Sequence, residues 1–425
     1  MNDIRLENKP DKALFISNGH GEDLNASQIA KALRQQQPQL EIGAMPIVGQ
    51  GNAYRNLGIE IIGPTAALPS GGFIYNDRVE LVKDIRSGLF TLLWRQIQAI
   101  RNYSRNSVTE RLRQRVAVFA VGDVVSILGA YLTGNPYVAF LVSSSAHYEN
   151  RMKFPLVVDW LLKSDRCKII FTRDKYTADI LNFQGFSKAM FAGYPVMDVL
   201  EITGKDLQLL PDLPLIALLP GSRLPEAGTN LQLLLDLAIE TTPKFPEGIQ
   251  FHAAVTPNLF TPSATGMTPL QQVAEQRGWE YQASGVLINP QHQIQVYCYC
   301  DAFADLLHRC DVVVGMAGTA IEQAVGLGKP VIQIPSAGPQ FIYKFAEAQM
   351  RLLGLSVQTI GTKPATPETI AQAARAICNT LGDRDYLERC RINGLERLGA
   401  AGGSAEMARI FTEELINPGF TPLPM

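Results

Sequence analysis

Between Asp311 and Pro335 the chain reads DVVVGMAGTAIEQAVGLGKPVIQIP. A β-branched run meets a Gly-Met-Ala-Gly-Thr turn, then a helix-compatible segment with Glu322 and Gln323, then Gly328-Lys329-Pro330 and a second β-branched run. That order is one βαβ unit, which commits its two strands to parallel pairing. Gly315 and Gly318 let the backbone turn tightly, and N–H groups at the start of the following helix can hold a phosphate. An acidic side chain one turn further on can accept hydrogen bonds from two ribose hydroxyls. Read alone, the stretch is equally a plain glycine connection inside a buried sheet.

The same rhythm runs through the rest of the sequence. Ala13 to Ser17 reads as a first strand, followed by the polar loop Asn18-Gly19-His20-Gly21-Glu22-Asp23 and a helix from Leu24 to Gln35. Such a loop at a strand's carboxyl end is where open α/β sheets bind ligands. Ile42 to Val48 and Ile59 to Ile62 continue the series, the latter exiting through Gly63-Pro64 and Ser70-Gly71-Gly72-Phe73-Ile74. Val116 to Val121, ending in Gly122-Asp123, is another strand, with a helix over Val124 to Leu132 and strands over Tyr137 to Val142 and Cys167 to Thr172. A polar stretch with Pro211 and Pro214 reads as a linker, after which the pattern restarts at Leu215 to Leu219, with the turn Pro220-Gly221-Ser222-Arg223. Two such runs predict two doubly wound Rossmann-like domains, over 1–200 and 211–400, with ligands held in a central cleft between their facing strand ends. Residues 401–425 add a C-terminal helix that can pack back on the first domain.

Composition narrows the function. With 46% hydrophobic and 18% charged residues and a formal charge of -2, the chain is that of a globular protein rather than a general nucleic-acid binder. Six scattered cysteines make no disulfide framework, and Cys298-Tyr-Cys300 lacks zinc-site spacing. The polar start MNDIRLENKPDK carries no signal-peptide core, which places the chain in the cytoplasm. Val116 to Ser143 is nearly continuous in apolar residues, but Gly122-Asp123 and Gly134-Asn135-Pro136 cut it too short to span a bilayer. Residues 78–115 combine apolar residues at helical spacing with an excess of arginine, which suits either contact with an anionic membrane face or packing on the sheet.

With its motifs placed, the sequence resembles the GT-B glycosyltransferases, and among them is similar to lipid-A-disaccharide synthase and related cyanobacterial and plastid proteins. Leu218-Leu-Pro-Gly-Ser-Arg223, Gly318-Thr319-Ala320 with an acidic residue after it, and Gly193-Tyr-Pro-Val-Met-Asp198 carry the likeness over almost the whole chain. The resemblance implies the GT-B fold, a UDP-sugar bound by the second domain and a lipid or lipid-linked acceptor bound by the first. Gly221, Ser222 and Arg223 would surround the diphosphate, Gly318 and Thr319 would donate to it, and Gln340 would lie near the nucleotide or sugar. Arginine suits a diphosphate because its planar fork pairs bidentately with phosphate oxygens; its alternative here is a surface ion pair with Glu226.

Two departures stand out. The family places its ribose glutamate where this chain has Gln323, while Glu322 sits one position earlier; Glu322 is the residue we assign. Gly19, Gly21, Glu22 and Asp23 form an acceptor-side loop unlike the synthase's own. For the base that glycosyl transfer needs, the strand-end Asp123 is the first candidate, with a helix N-cap as its alternative, and His20 is the second. No metal motif stands at a strand end of the second domain, so the resemblance implies a metal-independent, inverting transfer with no cofactor beyond the UDP-sugar donor. A UDP-GlcNAc 2-epimerase shares the fold, but its His-Val-Glu-Ala-Gly type of segment is missing; a non-catalytic nucleotide-sugar or lipid binder is the other alternative.

Overall fold

The computed structural model describes residues 10–65, 89–105, 116–263 and 266–417. The chain divides into two units, Met1–Val199 with Ala400–Met425, and Leu200–Gly399. Residues 66–88 and 106–115, and with them the 70–74 exit loop and most arginines of the basic region, lie outside the described residues.

The first unit is built on β1 (Lys12–Ser17), β2 (Glu41–Pro46), β3 (Glu60–Ile61), β4 (Val116–Val121), β5 (Tyr137–Leu141), β6 (Cys167–Thr172) and β7 (Ala189–Met190). They form a parallel sheet in the order β3-β2-β1-β4-β5-β6-β7. All six residues of β4 are buried, which explains why its sequence is apolar without alternation: a parallel strand covered on both faces has no wet side. On one face Phe15, Phe119 and Phe171 stack in a row, with ring centroids 5.3 and 5.8 Å apart. The helix Gly403–Phe411 closes that face, placing the Phe411 ring 5.2 Å from Phe119 and 6.3 Å from Phe15. Its start is fixed by Asp198, whose carboxylate accepts from the Gly402 and Ser404 N–H groups at 2.5 and 2.6 Å.

The described part of the basic region is the helix Leu89–Arg105. Its apolar stripe is turned inward: Leu92, Leu93, Ala99, Ile100 and Tyr103 pack on the core of the first unit. Trp94, 57% exposed, and the arginines Arg95 and Arg101 are left on the water side. Among the described residues no helix is long and apolar enough to cross a membrane.

The second unit contains β8 (Leu215–Leu219), β9 (Gln250–Ala254), β10 (Glu280–Tyr281), β11 (Val286–Asn289), β12 (Ile294–Tyr299), β13 (Val312–Gly315), β14 (Val331–Gln333) and β15 (Val357–Thr359). Their order is β10-β11-β12-β9-β8-β13-β14-β15. From β12 to β15 the pairs are parallel, while β10, β11 and β12 form an antiparallel edge that the strand–helix rhythm of the sequence does not announce. The stretch around Pro211 and Pro214 is not a linker but part of this unit. Its backbone is held by buried side chains: Asp305 accepts from the Thr203 and Gly204 N–H groups at 3.1 and 2.8 Å, and the Gln250 amide exchanges hydrogen bonds with Leu210 and Leu213.

Candidate functional site

Each sheet reverses its winding direction once. In the first unit successive strands run outward from β1 through β2 to β3, then resume on the other side at β4. The connections leaving β1 and β4 therefore diverge, and the crevice between them is the ligand site of this sheet class.

Gly19, at φ 129°, turns the chain out of β1 into a helix that starts at His20. The sequence suggests a start at Leu24, because Gly21 and the polar residues look loop-like. The first turn of a helix, however, favours acidic residues near its positive end, and here it holds Glu22 and Asp23. The consequence is that the residues of the predicted loop diverge. His20 is exposed and lies against Gly49, where an added Cβ would stand 3.3 Å from its Cε1. Gly21 is exposed and makes room for nothing in particular.

Glu22 is half-buried and accepts from Ser143 Oγ at 2.5 Å. A Cβ at Gly122 would stand 3.1 Å from its Cγ, so the glycine ahead of Asp123 makes room for this glutamate. Burial raises the Glu22 pKa above the usual carboxylate range; Ser143 opposes the shift, Asp123 adds to it and His20 opposes it. Asp23 turns into the core. It is 2% exposed and accepts from Ser17 Oγ at 2.6 Å, and that hydroxyl also meets Tyr54 Oη at 2.7 Å. Burial lifts its pKa to about 7. Asp123 adopts the capping geometry, accepting from the Val125 N–H at 3.0 Å at the start of the helix Val124–Leu132.

One cluster beside this crevice was not found from the sequence. Asp174 caps the helix Lys175–Phe183, accepts from Ser145 Oγ at 2.8 Å, and lies 3.8 Å from His147 Nε2, whose ring stacks on Tyr176. Serine and aspartate immediately before helical turns were the available signal; the bonds fix the loop that carries Ser143.

In the second unit the winding reverses between β8 and β13. The turn after β8 is Pro220 to Arg223, and the turn after β13 runs from Met316 to Gly318, so the two motifs singled out in the sequence become neighbours. Gly221, at φ 94°, is where they touch: a Cβ there would stand 3.0 Å from the Met316 carbonyl oxygen. Gly318 is the N-cap of the helix Thr319–Gly326, and no side chain caps that first turn. Ser222, Arg223 and Thr319 are exposed.

The alternative reading of Arg223, a surface pair with Glu226, is not formed among the described residues. Glu226 Oε1 instead accepts from the Gln340 N–H at 3.1 Å, across Gly338, where a Cβ would collide with the glutamate. Among the described residues Arg223 has no ion-pair partner. Gln340 thus reaches the same edge through its backbone, and its side chain is exposed. Of the two ribose candidates, Glu322 is half-exposed and Gln323 only 4% exposed.

Behind the second crevice lies a relay that sequence reasoning missed. Thr359 Oγ1 donates to Gln333 Oε1 at 3.2 Å, Gln333 Nε2 to Gln349 Oε1 at 2.6 Å, and Gln349 Nε2 to the Gly318 carbonyl at 3.2 Å.

No protein-family model matches this chain, and no curated protein matches it by sequence. Solved structures do. Acinetobacter baumannii MurG is similar with a TM-score of 0.57 at 15% identity, over 95% of this chain and 100% of that one. Neisseria meningitidis UDP-GlcNAc 2-epimerase bound to UDP-GlcNAc gives 0.53 at 14%, over 95% and 100%. The spinosyn rhamnosyltransferase SpnG complexed with thymidine diphosphate gives 0.55 at 14%, over 94% and 99%. The chain has the GT-B fold.

Each Rossmann-like unit thus has one winding reversal with its own set of candidate residues. The first gathers His20, Glu22, Asp123 and Ser143; the second gathers Gly221, Ser222, Arg223, Gly318, Thr319 and the Gln340 turn. Likeness at these identities carries the fold and nothing finer.

Proposed function

We propose that this GT-B protein is a glycosyltransferase that moves a sugar from a UDP-sugar to a lipid or lipid-linked acceptor, akin to lipid-A-disaccharide synthase. The observation that carries the reading is the second reversal point. There two glycine turns touch at Gly221, an uncapped helix start stands beside them, and an exposed arginine has no ion-pair partner among the described residues. Backbone donors and an uncommitted guanidinium are the chemistry that a diphosphate needs. Glu322 is the ribose ligand in this reading, and Gly221, Ser222, Gly318 and Thr319 surround the phosphates. The leaving diphosphate is stabilised by these groups, without a metal.

The lipid side is supported by the sequence likeness and by Trp94, Arg95 and Arg101 on the exposed face of their helix. Such a face suits contact with an anionic bilayer surface. The protein would then work at the cytoplasmic face of a membrane.

Calorimetric titration with UDP tests the donor site. Wild type binds, and Arg223→Ala binds about 10- to 150-fold more weakly, the loss expected for hydrogen bonds to a charged group. Incubation with radiolabelled UDP-glucose, UDP-galactose and UDP-GlcNAc, with and without a dispersed total lipid extract, tests the reaction. Label moving into lipid supports transfer. Conversion of UDP-GlcNAc to its 2-epimer without lipid would replace this reading by the epimerase, and UDP binding with neither product would leave a non-catalytic binder.

A further inference from the structure

We propose that Glu22, rather than Asp123 or His20, is the general base that takes the proton of the acceptor hydroxyl; the assignment rests on the transferase reading above. Three elements converge on its carboxylate. The helix His20–Gln36 supplies it from its first turn, the end of β4 makes room for it at Gly122, and Ser143 beyond β5 donates to its Oε1 at 2.5 Å. Its second oxygen, Oε2, is approached over Gly19, where a Cβ would stand 2.9 Å away. The bare glycine therefore makes room for one oxygen while Ser143 orients the other.

The two candidates from the sequence fit the role less well. Asp123 Oδ1 is committed to capping its own helix, and His20 stands exposed against Gly49. The charged and titratable groups around Glu22 are His20 and Asp23 on its own helix and Asp123 at the end of β4. Burial, with Asp123 adding to it, raises the proton affinity of Glu22 above that of an ordinary carboxylate, the direction that suits a general base.

In the step itself the acceptor oxygen bonds to the anomeric carbon and its proton passes to Glu22 Oε2. The anomeric C–O bond to the diphosphate breaks, and its electron pair stays on the diphosphate. Asp123 and Ser143 are positioning residues that set the balance from opposite sides: the carboxylate disfavours ionised Glu22, and the hydroxyl favours it.

The experiment is a pH–rate profile of transfer to lipid extract, using whichever labelled UDP-sugar the wild type accepts, with UDP affinity measured in parallel. Glu22→Gln should lower kcat about 10²- to 10⁴-fold and leave UDP affinity within about twofold. Asp123→Asn keeps a side chain that caps helices as well as aspartate does, and should move the acidic limb to lower pH. Ser143→Ala should move it to higher pH. A merely structural role for these residues would not produce opposite displacements. Glu22→Gln with the wild-type rate, or a limb that neither neighbour variant moves, overturns the assignment of the base alone. A wild type that neither binds UDP nor transfers sugar overturns the transferase reading, and the base with it.

Discussion

His252 stands 1% exposed on β9, between the rings of Tyr297 and Tyr299 at centroid distances of 4.8 and 5.8 Å. Burial lowers its pKa from 6.5 to about 4. In the unfolded chain the imidazole takes a proton as pH falls below about 6.5, while in the folded chain it resists until about 4. Its contribution to stability is thus complete above pH 6.5 and is lost as pH falls through this window, by about 3 kcal/mol for the whole shift. Urea unfolding at pH 7, 5.5 and 4 should show a shallower fall in stability for His252→Gln than for the wild type. Such a residue is hard to read from sequence, since a histidine on a strand looks the same in a core as in a site. The turn glycines are different, because Gly221 and Gly318 belong to short local patterns. What the pattern withholds is the partner: that Gly221 is bare because the Met316 carbonyl approaches it depends on β8 and β13 being adjacent. The burial of Asp23 is hidden for a related reason, since the four extra residues of helix from His20 decide which way its carboxylate points.

At the level of elements, β4, β6 and β8 are legible to the residue because they are buried along their length, Lys168 of β6 excepted, and bounded by turn residues. The hairpin β10–β11 and the edge strand β15 are only two to four residues each, too short for periodicity to register. The relay from Thr359 through Gln333 and Gln349 to Gly318 joins four elements that are dispersed in sequence, so no spacing reveals it. It acts on the helix Thr319–Gly326 by fixing the carbonyl of its N-cap residue. Gln349→Leu removes that bond, and the net worth of one hydrogen bond, about 0.5–1.5 kcal/mol, predicts a two- to tenfold loss of UDP affinity. Titration calorimetry on the variant checks this, and an unchanged affinity would confine the relay to structural support.

On the scale of the whole molecule the two units differ in how the chain makes them. Leu200–Gly399 is continuous, whereas the first unit is assembled from Met1–Val199 and Ala400–Met425. Phe411, Met407 and Ala408 are fully buried in that assembly, so the last helix is part of the core rather than an appendage. A fragment of residues 200–399 should therefore fold alone, with a single cooperative unfolding transition. Residues 1–199 alone should be insoluble or molten, and a peptide of residues 400–417 supplied in trans should restore near-UV dichroism. Failure of the first fragment, or a well-folded second fragment without the peptide, would contradict this division.

The same division sets an order of events during synthesis. At about 5–20 residues per second, roughly 10–40 s separate the emergence of Val199 from that of the closing helix, and the second unit can finish folding within that interval. Throughout it the aromatic row of Phe15, Phe119 and Phe171 has no Phe411 to cover it. A nascent chain stalled before residue 400 is a client for holding chaperones, and a truncation late in the reading frame exposes the interior of the part made first.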